Sequence, residues 1–146
     1  MFSKATEYAL RATIYIAANS SESKRLGIDE ISVAIGSPRS FTAKVLQMLS
    51  KDNFLVSSVK GPGGGFFMTA DATNLPARKI IEAMGEDTTL TKCVLGLPKC
   101  SDSRPCPMHH EYRFIKARLL ELFESTVIAD LALDSRLANI YLKGRA

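Results

Sequence analysis

The stretch FLVSSVKGPGGGFFMTA, Phe54 to Ala70, decides the fold. Two runs rich in aromatic and β-branched residues flank Gly61-Pro62-Gly63-Gly64-Gly65, the pattern of two short strands joined by a turn. Glycine-rich loops also cradle phosphates, but such a loop opens a helix and carries a Gly-Lys-Ser/Thr ending. Here a second strand follows and that ending is missing. The segment reads as a hairpin, and its glycines permit positive φ and close backbone approach.

What precedes the hairpin gives it a setting. From Ser3 to Ser20, the residues Ala5, Tyr8, Ala9, Ala12 and Ile16 recur at helical spacing behind Ser3 as N-cap. SSESKRLG, Ser20 to Gly27, reads as a polar loop. IDEISVAIG predicts a short helix from Asp29 ended by Gly36. SPRSFTAKVLQMLSKDN predicts another, with Ser37 as N-cap and Pro38 in the first helical position. Its stripe of Phe41, Val45, Met48 and Leu49 faces inward, leaving Arg39, Ser40, Lys44, Gln47 and Lys51 elsewhere. Two helices across a glycine turn, then a hairpin, make a winged helix-turn-helix. The fold class expected is therefore mainly α with a small β-hairpin, the winged domain spanning residues 1–85. The implied partner is double-stranded DNA with an imperfectly palindromic operator. Arg39, Ser40, Phe41 and Lys44 are placed to meet base edges and nearby phosphates, with inward packing the alternative for Phe41. The wing at Gly63, Gly64 and Gly65 approaches the DNA backbone or minor groove, with Lys60 beside a phosphate. A net charge of +4 is compatible with that partner.

After the hairpin, DATNLPARKIIEAMGED predicts a short helix that begins after Thr73 or Asn74, runs through Pro76, Ile80, Ile81 and Met84, and closes at Gly85. Residues 86–107 are irregular, punctuated by Gly96, Pro98, Pro105 and Pro107. MHHEYRFIKARLLELFESTVIADLAL then reads as one long helix. Its stripe of Tyr112, Ile115, Leu119, Leu122, Phe123, Val127 and Leu131 is too long for so small a domain to cover. Residues 108–146 are expected to form a dimerisation helix and tail, in a two-fold homodimer. No run of apolar residues is long enough for a membrane span and no leader pattern opens the chain, so the expected home is the cytoplasm.

The three cysteines, Cys93, Cys100 and Cys106, share one loop, with His109 in the spacing C-x6-C-x5-C-x2-H. Thiolates suit zinc or iron–sulfur clusters. Structural zinc sites favour C-x2-C pairs, and none is present. The wide spacing fits a larger object that must be wrapped, such as a cluster. Surface thiols without metal, oxidant-sensing thiols, and a zinc-stabilised structural or interaction protein are the alternatives. Glu7 would in the plainest reading pair with Arg11, one helical turn away. No nucleophile–base pairing at recognisable spacing suggests an enzyme.

The helix SKATEYALRA, the SPRSF recognition segment, the wing VKGPGGGF and the late cysteine trio together resemble the Rrf2 family of bacterial transcription regulators. They resemble its iron–sulfur branch of cluster, nitric-oxide and redox sensors in particular. The resemblance covers about Met1 to Leu133. It implies a dimeric repressor or activator whose DNA affinity depends on an iron–sulfur cluster, 2Fe–2S favoured over 4Fe–4S. It also implies that Cys93, Cys100 and Cys106 are the cluster ligands, with His109, or Glu7 of the partner subunit, as the fourth. Two departures stand out. The first cysteine gap is six residues where five is common, and Ala43 replaces a glutamate that helps choose DNA sites in the family's cluster regulator.

Overall fold

A computed structural model describes residues 1–99, 101–137 and 142. Helix α1 (Lys4–Asn19) starts where the sequence places it. Ser3 is extended, with φ −65° and ψ 162°, and its Oγ accepts a hydrogen bond from the Thr6 amide at 3.2 Å. Such a cap contributes about 1 kcal/mol. Ala9, Ala12 and Ile16, on one face of α1, are fully buried. Against α1 lie α2 (Ile28–Ile35) and α3 (Arg39–Leu49), which also pack on each other. Ile31, Ile35, Val45, Leu46 and Leu49 close the core between them. Burying each such side chain is worth about 1.5–3 kcal/mol. That burial, rather than intrinsic propensity, holds an eight-residue helix such as α2.

Two expectations for α3 need correction. Pro38 occupies the N-cap rather than the first helical position, since its ψ of 144° is extended while its carbonyl already accepts from the Thr42 amide at 2.9 Å. Ser37 therefore makes no side-chain cap. The buried stripe is Thr42, Val45, Leu46 and Leu49, and Met48 is turned out to solvent.

The hairpin is present but shorter than its apolar runs. Strands β1 (Ser57–Val59) and β2 (Gly65–Phe67) pair antiparallel, Ser57 opposite Phe67 and Val59 opposite Gly65. Leu55 and Val56 are buried ahead of β1, whereas Phe54 is exposed. A third piece joins the hairpin from the supposed polar loop. Leu26 and Phe66 exchange both backbone hydrogen bonds at 2.8 Å.

The segment after β2 forms two helices instead of one. Thr69 caps α4 (Ala70–Thr73), and α5 (Arg78–Ala83) follows after Pro76. Proline cannot donate to a helical ladder. Pro76 instead lies in an extended link that bridges Val127, with the Ala77 amide donating to the Thr126 carbonyl at 2.8 Å and the Ile128 amide to the Leu75 carbonyl at 3.0 Å. The same link breaks the expected long helix. Helix α6 (His109–Ser125) ends at Thr126, whose ψ is 118°, and α7 (Ile128–Leu137) folds back along α1. Thr126 and Val127 are β-branched and favour the extended pairing. Ile128 and Ala132, beside the stripe's Val127 and Leu131, are thereby buried in the core, so this end of the segment serves this domain. The near end does not: Phe114, Ile115 and Leu122 remain more than half exposed on α6. Contacts of Phe2 with Phe123 and of Arg78 with Glu124 anchor α6 to the rest. Cys100 and most of the tail after Leu137 lie outside the described residues.

Candidate DNA interface and cysteine loop

The outer side of α3 presents Arg39, Ser40, Ala43, Lys44 and Gln47, all exposed. Arg39 Nε donates to Asp29 Oδ1 of α2 at 2.6 Å, and both side chains are largely exposed. An exposed pair contributes at most about 1 kcal/mol. Its consequence is orientation, since the guanidinium is held at the mouth of α3. Phe41 is half-buried, its ring edge-on to Tyr8 with centroids 5.6 Å apart. It takes the inward placement of the two open to it.

In the wing, the close approaches that require glycine are internal. A Cβ on Gly64 would lie 2.2 Å from the Val59 carbonyl oxygen, and one on Gly65, at φ 143°, would lie 2.6 Å from that of Leu26. The Gly64 amide closes the turn onto the Gly61 carbonyl at 2.9 Å. These two glycines are required by the wing's own backbone geometry. Lys60 is exposed at the end of β1.

The cysteine loop starts from a buried thiol. Cys93 is 2% exposed. The backbone N–H groups of Leu97, Leu95 and Gly96 and the Cys106 side chain lie close enough to act on its thiol. Together they hold the Cys93 thiol below its ordinary pKa, against the opposing effect of burial. Cys106 is half-buried, and its carbonyl accepts the His109 amide at 3.0 Å where α6 begins. His109 is 6% exposed, with Nε2 2.7 Å from Asp102 Oδ1, and Arg113 Nη1 is 3.5 Å from the same oxygen. The hydrogen bond from His109 keeps the Asp102 carboxyl below the usual carboxylate range, helped by the charges of His109, Arg113 and His110.

Asp102 escaped the sequence reading, since one acid in an irregular loop carries no periodicity. The structure brings Cys93 to Cys106, and His109 to Asp102. Glu7 sits exposed on α1 and faces Lys4 Nζ at 3.8 Å; Arg11 lies over the Tyr8 ring rather than pairing with it. Among the described residues, which exclude Cys100, no three His, Cys, Asp or Glu side chains gather around one metal-sized point.

This architecture has known counterparts. The family model described as an iron-dependent transcriptional regulator, Rrf2, matches residues 2–134. The chain belongs to the Rrf2 family. It is 36% identical over 133 residues to a protein of Aquifex aeolicus strain VF5 assigned as an HTH-type transcriptional regulator, covering 90% of each chain. To the HTH-type transcriptional regulator IscR of Klebsiella pneumoniae strain 342 it is 29% identical, over 91% of this chain and 80% of that one. The solved structure of CymR, the global cysteine regulator of B. subtilis, superposes with a TM-score of 0.70 at 20% identity, covering 91% of this chain and 96% of the other. The helical fold with its two-stranded hairpin is that of Rrf2 winged-helix structures. This Rrf2 protein is thus a transcriptional regulator that acts on DNA. Among its described residues no helix is long and apolar enough to cross a membrane.

Proposed function

We propose that this Rrf2 protein is a homodimeric regulator whose operator affinity is governed by an iron–sulfur cluster, 2Fe–2S in preference to 4Fe–4S, in response to redox state, nitric oxide or cluster supply. The observation that carries the reading is Cys93, a buried thiol whose pocket, with nearby backbone amides and Cys106, keeps it below its ordinary pKa. That pocket favours the thiolate, the form that binds iron. Cys93, Cys100 and Cys106 would hold the cluster, with His109 or Glu7 of the partner subunit completing the set. When bound, the cluster supplies one-electron redox chemistry and iron open to small reactive molecules. Asp102 keeps the His109 ring oriented, as carboxylates do for ligating histidines.

The loop is tied to α6 through the Cys106 carbonyl and through Lys116 Nζ, which donates to the Thr91 carbonyl at 3.1 Å. The exposed groove of α6, with Phe114, Ile115, Leu119 and Leu122, would be covered by the same helix of a second copy. Reordering the loop would then move α6 and alter the spacing of the two recognition helices, a population shift between binding-competent and incompetent dimers. Arg39, Ser40 and Lys44 would enter the major groove of an imperfect palindrome, and Lys60 would follow the wing along a flank. Phe41 would support the helix from behind.

The test is the visible absorption spectrum of protein purified without oxygen, with iron and sulfide counted per chain. A brown sample whose colour and iron are lost in Cys106→Ala is the expected result. A colourless sample that resists reconstitution would overturn the cluster. The contact of Cys93 with Cys106 favours a second reading for that case, a cluster-free sensor whose thiols are the responsive groups. Formation of a Cys93–Cys106 disulfide under oxidant, seen by peptide mass mapping, would establish it.

A further inference from the structure

The exposed cation beside the wing that nothing above assigns is Arg25. It sits near the end of the polar segment Ser20 to Gly27. Ser21 and Lys24 close a tight turn just before it by exchanging two backbone hydrogen bonds at 3.0 Å, and Leu26 just after it is laddered to Phe66. The backbone on both sides of Arg25 is therefore fixed against the hairpin. Its side chain is steered as well. The guanidinium carbon lies 5.6 Å from the Phe67 ring centroid, and Nη1 is 3.4 Å from the Gly63 carbonyl at the wing turn. Gly65 lacks a Cβ where one would stand 3.3 Å from Arg25 Cβ, so the wing backbone passes directly over the arginine's stem.

Among the described residues no carboxylate forms an ion pair with Arg25, although most other arginines here, Arg39, Arg78, Arg113 and Arg118, each have one. A carbonyl at 3.4 Å is a weak acceptor at the limit of hydrogen-bond distance. A guanidinium so placed retains its full charge and fork of donors for an outside anion.

We propose that Arg25 is a second wing cation that clamps a DNA phosphate alongside Lys60. This rests on the DNA-binding reading above and adds a contact from outside the helix-turn-helix and hairpin. Phosphate is the favoured partner because arginine pairs with it in bidentate geometry, and because a wing lying along the duplex carries its flanking residue past the sugar–phosphate backbone. Such a contact has a thermodynamic signature: each phosphate neutralised steepens the dependence of log K on log salt by about 0.9.

The experiment measures binding to a random-sequence duplex and to a selected operator across a salt series, for the wild type, Arg25→Ala, Arg25→Gln and Arg25→Lys. Thermal midpoints serve as the folding control. The neutral variants should flatten the salt slope by about 0.9 for each protomer engaged, by the same amount on both duplexes. Arg25→Lys should restore the slope, since it keeps the charge while losing the stack on Phe67. Weaker binding with an unchanged slope would make Arg25 a prop for the wing and overturn the clamp. A loss confined to the operator would make it a base reader, again overturning the clamp. A wild-type protein that binds neither duplex would overturn the DNA-binding reading itself, and the clamp with it.

Discussion

The wing and the cysteine loop are both glycine- and proline-punctuated segments without long regular structure, yet they are held in different ways. The wing is tied by backbone to backbone: the β1–β2 ladder, the Leu26–Phe66 exchange and a turn whose Gly64 tolerates no side chain. The cysteine loop leans more on side chains: a buried thiol and an imidazole against a carboxylate, beside the backbone bond from the His109 amide to the Cys106 carbonyl. Backbone ladders persist whatever the chemical state of the side chains. A loop held in part by a histidine and an acid is sensitive to the chemical state of those groups. The wing's ties do not depend on side-chain chemistry, and part of the loop's do.

The largest effect that would sharpen this contrast is Gly64→Ala. Its Cβ would press on the Val59 carbonyl at 2.2 Å, a clash with backbone that no rotamer relieves. A loss of about 2–4 kcal/mol in denaturant unfolding is expected, together with weakened DNA binding. Unchanged stability would show that the wing deforms freely and would erase the contrast with the loop.

Arg39→Ala comes next. If Arg39 enters the major groove as proposed, its loss should cost about 1–3 kcal/mol of operator affinity, with little effect on folding because its pair with Asp29 is exposed. Asp29→Ala, which leaves the arginine but removes its guide, should cost less. If the two variants bind equally to each other, Arg39 acts only through Asp29.

The smallest effect lies where the loop segment meets α1. Glu86, at the head of the loop segment, accepts the Ser3 amide with both carboxylate oxygens at 3.2 and 3.1 Å. Partial burial would raise its pKa. The bonds from Ser3 and Thr6 and the charge of Lys92 outweigh that and hold it below the usual carboxylate value. A folded pKa below the unfolded one means that the stabilisation is complete above the unfolded value and fades as pH falls through the folded value. For so exposed a group the gain is a few tenths of a kcal/mol, roughly. Glu86→Gln should therefore be slightly less stable than wild type at neutral pH and equal to it once Glu86 is protonated. A difference that persists in acid would assign the effect to packing.

Legibility in the sequence followed the range of the forces involved. Ser3 as a cap, Gly36 as a stop and the Gly61–Gly65 turn were readable because each acts within a few residues. Leu26 as part of the sheet and Pro76 opposite Val127 were not, because neither partner is near in the chain. In the candidate site, the spacing of the cysteines and His109 stood out. The amide pocket around Cys93, the Asp102 partner of His109 and the position of Arg25 did not, because each is a meeting of groups with no repeating pattern.

The sequence by itself determined the order and character of the elements: apolar spacing sets which face of α1 is buried, and the glycine run sets the hairpin. Only the tertiary structure decided where the last stripe breaks. Read along the chain, Tyr112 to Leu131 is one amphipathic helix, since helical periodicity continues through Thr126 and Val127 without a proline or glycine. In the folded molecule the backbone of residues 75–77 captures that point, α7 turns onto α1, and Ile128 enters the core while Ile115 and Leu122 stay outside. Burial of α7 against α1 and two long-range backbone hydrogen bonds outweigh the continuity of a single helix, and that balance is invisible to any local window.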